Sequence, residues 1–361
     1  MLKRIRSTKG DSFKRITSKL GVFTVLTAHP DSSRISLLFV RTFFPNLCRV
    51  KLRIQNPYLL LVMAMLFWSG NFVISKAVST EVPPVALAFW RWCLAALFIT
   101  LYTWKQLRKD WPVVKRHWKV LLPISVLGVT CFNTLIYIGL QNTSAINSLL
   151  LQSFFPIVVA IFSFIFFKER LRWIQIVGVL ISLAGTLFLI SRGSWATLFN
   201  AQFNPGDLWI CVAVCSYAGY ASLLRFRPNM HPLSFLTITF LIGVVVLFPF
   251  YLLESLLFSP VHMSVAFVSS VLYLAIFPSI LAYLAFNEAV KMIGPNIAGL
   301  FSHLMPVFGS ILAVIFLGER FQTFHAFGIL LIFTGIVLVI RHKRKASTRP
   351  MEYSRTSKNK V

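Results

Sequence analysis

Long apolar runs separated by short polar corners dominate the chain. From Asn56 onward, runs with almost no charge recur at 58–77, 85–104, 119–140, 145–167, 173–191, 208–224, 233–253, 265–286, 296–317 and 323–341. An apolar run of about 18 or more residues is long enough to cross a bilayer as a helix. The pattern therefore predicts an all-α membrane protein with ten transmembrane helices, its short loops placing successive helices side by side. Residues 1–56 and 342–361 are polar and basic and contain no run of that length. The first is read as a cytoplasmic tail, with a transit peptide as the rival reading, since both are basic, rich in Ser and poor in acids.

Composition agrees. Hydrophobic residues make up 57% of the 361 positions, charged residues 13%, and the mean hydropathy is +0.75. A soluble chain carries about 45–50% apolar and about 25% charged residues.

The net charge is +26. Its distribution argues for topology and against a nucleic-acid partner, because the cations are scattered over tails and corners. With the N-terminus inside, the cytoplasmic segments hold 32 Lys and Arg, and the opposite side holds Lys76, Arg192 and Arg320. Such a bias places both termini in the cytoplasm and requires an even number of helices. The lipid bilayer and a small-molecule substrate are the expected partners, and a homodimer is allowed.

One unit is written twice. FIFFKERLRWIQIVGVLISLAGTLFLI (Phe164–Ile190) reappears as VIFLGERFQTFHAFGILLIFTGIVLVI (Val314–Ile340). Residues 151–190 align with 301–340 at a constant offset of 150, with ten of forty positions identical. Pro156/Pro306, Glu169/Glu319, Gly178/Gly328 and Gly185/Gly335 are among them. At an offset of 149, Ala64, Trp68, Gly70, Lys76 and Pro83 face Ala213, Tyr217, Gly219, Arg225 and Pro232. The repeats are 57–191 and 204–341. Each holds five helices, an odd number, so the second copy is inverted in the membrane. Secondary transporters are often built this way, with a site near the midplane between the halves.

AMLFWSGNFVISKAV (Ala64–Val78), VPPVALAFWRWCLAALF (Val82–Phe98) and the two Pro-to-Glu-Arg units resemble the drug/metabolite transporter superfamily, EamA-type. The likeness spans about 56–341. It implies ten helices as two inverted five-helix repeats in the inner membrane, moving small metabolites, amino acids or drugs, with export as the expected direction. The basic stretch 1–55 is not explained by it.

Several residues stand out chemically. Arg91 lies about seven residues past Pro84, roughly 10 Å deep by helical rise. An arginine at a helix centre costs about 2.5–3.5 kcal/mol on the translocon scale. It either snorkels to the outer interface or bonds a helix end, or it faces the cavity and holds a substrate carboxylate or phosphate. Trp68, Ser69, Asn71, Ser75, Asn133, Tyr137, Asn147, Gln152, Tyr217, Tyr220, Tyr283, Asn287 and His303 cluster in the spans. From these and Arg91, the expected substrate-binding set is Trp68, Asn71, Arg91, Tyr137, Gln152, Tyr217, Tyr220, Tyr283 and His303. Structural roles are expected for Pro156 and Pro306 as mid-span kinks. Gly178, Gly185, Gly328 and Gly335 are expected to allow close helix packing. Glu169 and Glu319 are expected to accept N–H bonds at the start of the next helix.

No GxxxxGK[ST] motif, CxxC pair, HExxH motif or clustered metal-ligand set occurs. The five cysteines read as packing residues, and no cofactor or metal is expected. An intramembrane enzyme or lipid-handling protein is the alternative. It would need convergent carboxylates or His and Cys within the spans, which the sequence lacks.

Overall fold

The computed structural model describes residues 56–347, apart from 80, 195, 197–201, 258–260, 262, 313 and 316–320. Among the described residues, ten helices are long and apolar enough to cross a membrane. They are α1 (Pro57–Val78), α2 (Pro84–Arg116), α3 (Trp118–Asn142), α4 (Asn147–Phe167) and α5 (Trp173–Ile190), followed by α6 (Pro205–Phe226), α7 (Pro232–Leu257), α8 (Val265–Ile293), α9 (Pro295–Leu312) and α10 (Thr323–Arg341). The tail reading for 1–55 and the Glu319 corner lie outside the described residues.

Successive helices run in opposite directions, so the molecule has two ends. The α2–α3, α4–α5, α6–α7 and α8–α9 connections share one, here called the Glu169 end. The other connections share the Lys76 end.

Helix starts follow local chemistry. Asn56 accepts the N–H of Tyr58 at 3.0 Å, and Pro57 takes the first position, where a missing N–H costs nothing. Asn204 and Asp207 form a reciprocal cap on α6. The start of α2 borrows its cap from a distant residue. Glu254, near the end of α7, accepts the N–H groups of Val85 at 3.0 Å and Ala86 at 2.6 Å. A carboxylate there satisfies two orphan donors and faces the positive end of the helix dipole.

Three local expectations are corrected. The cationic stretch 105–116 is not loop: it continues α2 as helix through Pro112 to Arg116. Pro156 does not kink a continuous helix. It opens a new segment, Phe155–Phe167, after a break at 153–154 that follows Ala145–Gln152. The same break recurs in α9, where a 3-10 turn (Phe301–His303) precedes the segment holding Pro306. Glu169 does not cap α5. Its carboxylate pairs with Arg225 and accepts from Asn296 Nδ2 at 3.3 Å, while Gln175 Oε1 accepts the Arg172 N–H at the α5 start.

Helices α5 and α10 pack tightly through their glycines. A Cβ on Gly178 would come 2.9 Å from the Gly335 carbonyl oxygen, and one on Gly185 would come 2.8 Å from that of Gly328. The contact is reciprocal at the 150-residue offset, since 178 meets the mate of 185 and 185 the mate of 178. Small residues permit this backbone approach, which dispersion and close packing favour in lipid.

The offset also relates two departures from α geometry. A π-helical stretch occupies Val126–Cys131 in α3 and another occupies Ala275–Leu281 in α8. Each exposes a carbonyl that the other half uses. Tyr283 OH donates to Gly128 O at 2.5 Å, and Trp68 Nε1 donates to Pro278 O at 3.0 Å. Residues 128 and 278 are themselves 150 apart. Wide turns of this kind free a main-chain acceptor without breaking the helix.

Candidate functional site

The centre of the bundle is aromatic. The Trp68 ring meets Tyr217 edge-on at 5.5 Å, Tyr283 at 5.8 Å and Phe286 at 5.1 Å. Phe132 lies 4.3 Å from Tyr217, and Tyr220 stacks on Tyr217 at 5.1 Å. Edge-to-face and offset pairs of this kind contribute about 0.5–1.5 kcal/mol each beyond burial.

A cavity of about 20 Å³ sits here, lined by Trp68, Asn71, Phe72, Phe132, Asn133, Gln152, Phe155, Val214, Tyr217, Ser302 and Met305. That is room for about one water molecule. In this state the centre has no room for anything larger.

The predicted residues divide by position. Trp68, Asn71, Gln152 and Tyr217 line the cavity. Arg91, Tyr137 and Tyr283 stand one layer behind it. Arg91 is fully buried and does not snorkel, which corrects that expectation. Its Nε donates to Ser279 Oγ at 2.6 Å. Its Nη1 lies 3.0 Å from Asn71 Oδ1, 2.7 Å from Asn133 Oδ1 and 2.6 Å from Tyr137 OH. The guanidinium also lies over the Trp92 ring at 4.7 Å. Uncharged acceptors on α1, α3 and α8 thus replace water around a buried cation.

Tyr220 turns away and donates to Asn287 Oδ1 at 2.7 Å. His303 lies outside the cavity wall. Its Nε2 donates to Ser153 O at 2.9 Å, and its Nδ1 lies 2.7 Å from Ser182 Oγ. His303 and Ser153 hold the same place at the 150-residue offset, so the two broken helices are tied at matching points.

Pattern reading passed over the apolar lining residues Phe72, Phe132, Phe155, Val214 and Met305, which look like any other apolar residue in a span. Ser302 could have been found, since the 150 offset sets it opposite Gln152.

The two ends differ. At the Lys76 end, Lys76 Nζ donates to Leu140 O at 2.7 Å and Thr143 O at 3.1 Å, clamping the end of α1 onto the end of α3. Thr143 and Asn147 also donate to the Asp207 carboxylate on α6. At the Glu169 end, a cleft of about 620 Å³ opens between α6 and α8, lined by residues 224, 225, 227–229 and 290–294. Its mouth carries Arg225, Arg227 and Lys291. Arg225 pairs with Glu169 and Arg227 with Glu288, and these pairs fix the cleft rim.

Among the described residues no group of three His, Cys, Asp or Glu side chains converges on a metal site. The four described cysteines are free thiols.

Comparison with known proteins fits this architecture. The uncharacterized transporter YyaM of Bacillus subtilis (strain 168) is 29% identical over 286 residues, covering 78% of this chain and 92% of that one. A protein named S-adenosylmethionine/S-adenosylhomocysteine transporter from Chlamydia muridarum (strain MoPn / Nigg) is 25% identical over 284 residues, covering 75% and 89%. A crystal structure of another protein shares the fold, with a TM-score of 0.65 at 20% identity over 81% of this chain and 99% of that one. The profile of the EamA-like transporter family matches residues 55–191 and 204–341, the two halves of the bundle. The chain belongs to the EamA-like transporter family and is a membrane transporter rather than an enzyme.

Proposed function

We propose that this protein is a secondary transporter that moves a small organic metabolite by alternating access, its two halves lying inverted in the membrane. The carrying observation is the contrast between the two ends. Lys76 and Arg225 are mates at the 149-residue offset. Carried back across the α3–α4 and α8–α9 connections, the 150 offset sets Leu140 and Thr143, the partners of Lys76, opposite Val290 and Ile293. Those two residues and Arg225 line the open cleft. One sequence pattern therefore forms the Lys76 clamp at one end and lines a cleft at the other. Exchange of the two packings would close the cleft and release the Lys76 clamp, carrying a solute past the aromatic centre.

Charge supports an orientation. The cationic residues 105–119, 168–172, 225, 227 and 291 crowd the Glu169 end, so the positive-inside rule assigns that end to the cytoplasm. In a bacterial cell this is the inner membrane. A cleft on that side is in keeping with loading from inside and so with export. The aromatic cavity and the relatives named for S-adenosylmethionine make that compound and aromatic amino acids the first solutes to test.

Lys76→Met removes the clamp and leaves the cavity wall untouched. In proteoliposomes loaded with unlabelled S-adenosylmethionine or phenylalanine, wild-type protein should give counterflow of the labelled compound. Losing two charge-assisted bonds should slow it by at least about tenfold, at unchanged protein yield. Wild-type rates in Lys76→Met would contradict the exchange of clamps.

A further inference from the structure

We propose that the central site takes the carboxylate of a monoanionic or zwitterionic solute, received by amide and phenol donors that Arg91 orients from behind. This rests on the transport reading above and names the substrate class of that site.

A guanidinium carries five N–H donors, no acceptor and a charge at every working pH. Asn71 and Asn133 must therefore turn their oxygens toward Arg91, as the 3.0 and 2.7 Å contacts record. Tyr137 gives its own proton to Asn71 Oδ1 at 3.0 Å, so that oxygen is fully used. What Asn71 has left for the cavity is its NH₂ group. Gln152 Nε2 and Tyr217 OH are buried in the same wall and have no hydrogen-bond partner. Gln152 is 5% exposed and Tyr217 3% exposed. A buried donor without a partner is costly, and the natural relief is an acceptor supplied by a ligand.

Charge points the same way. The hydrogen-bond partners of Arg91, Ser279, Asn71, Asn133 and Tyr137, are all uncharged, its Nη2 has none, and no carboxylate lines the cavity. A fixed cation without a counter-ion raises the potential of a site sealed from water. One bound carboxylate balances one guanidinium, whereas a dianionic phosphate would overshoot it. The aromatic walls formed by Trp68, Phe132 and Tyr217 then receive the apolar part of the solute. Arg91 is a positioning residue here, and Asn71, Gln152 and Tyr217 make the contact.

The test uses the full chain in detergent and triplets of one shape with different head groups: 3-phenylpropionate, 3-phenylpropionamide and 3-phenylpropylamine, and the matching indole series. Ligand-induced rises in melting temperature report binding. The carboxylates should bind at least about tenfold more tightly than their amides, with no shift from the amines. Asn71→Asp places a carboxylate against Arg91. It should fold at least as well as wild type, because it supplies the missing counter-ion, yet lose the carboxylate shift. Asn71→Leu, which removes the donor without adding charge, should weaken it about tenfold. Equal binding of amide and carboxylate, or an undiminished carboxylate shift in Asn71→Asp, overturns the proposal. In either case the site still binds solute, and the transport reading stands. Shifts from the amines alone overturn the carboxylate class in favour of cations. No shift from any member overturns the carboxylate proposal and leaves the transport reading to the Lys76→Met test.

Discussion

Replacing Gly335 by alanine tests the packing of α5 on α10. An added Cβ would lie 2.7 Å from both Ser182 Cβ and Ser182 N, and nearer still to the Gly178 carbonyl oxygen. Ordinary contact begins at 3.4 Å, and backbone on the facing helix cannot swing aside as a long side chain would. The helices must separate by roughly 0.7 Å or more along that line. Overpacking of this kind costs about 1–3 kcal/mol, which corresponds to a fall of about 1–4 °C in melting temperature for a chain of this size. Gly309→Ala is the internal control, because a Cβ there meets nothing within 4 Å. Fluorescence-detected thermal unfolding of the two purified variants should separate them clearly. Neither α5 nor α10 lines the central cavity, so transport per folded Gly335→Ala molecule should match wild type. Equal melting of Gly335→Ala and wild type would refute the packing argument. So would a loss confined to Gly309→Ala.

Glu254→Ala strips two N–H bonds and a favourable dipole contact from the start of α2 and should lower stability by about 1–2 kcal/mol, read as melting temperature. Trp68→Phe keeps the ring packing but leaves Pro278 O without its donor. It should cost about 1–3 kcal/mol and reduce counterflow more than Gly335→Ala does. Glu169→Gln breaks a pair whose side chains are 33% and 38% exposed, so solvent screening should hold the stability loss below about 1 kcal/mol. Arg91→Lys retains the charge but cannot span Ser279, Asn71, Asn133 and Tyr137 together. Its yield should drop, and the folded fraction should lose discrimination between carboxylate and amide ligands.

The helix count was legible because lipid makes periodicity irrelevant and run length decisive. The repeat was legible because Pro, Gly, Glu and Arg kept their spacing against an apolar background. Helix interiors were less so. Of the two π stretches, Ala275–Leu281 carries Pro278, whose missing N–H marks a departure from the α ladder, whereas Val126–Cys131 carries no such mark. Tyr283 and Trp68 from the opposite half each take a carbonyl in one of them, a partnership that no local pattern announces. Arg91 drew attention as a lone cation in a span, but its neighbours decide its role, and those lie 20, 42, 46 and 188 residues away. Glu254 falls just past the apolar run 233–253, and its partners, the N–H groups of Val85 and Ala86, leave no mark in the side-chain sequence. Glu169 sits where a capping carboxylate would, yet it pairs with Arg225 and Asn296 while Gln175 takes the α5 start.

Cysteine accessibility at the two ends tests alternating access most directly. Met292 lines the cleft and is 48% exposed, whereas Thr143 lies beneath the Lys76 clamp and is 5% exposed. Met292→Cys and Thr143→Cys, each reacted with a membrane-impermeant maleimide in proteoliposomes against the unmodified-sequence background, report the two ends separately. Fast labelling at 292 and slow labelling at 143 should invert when Lys76→Met is added, because an unclamped end opens only as the cleft closes. Labelling that rises at 143 while staying unchanged at 292 would mean the ends move independently, and would contradict a transporter built on the exchange of two packings.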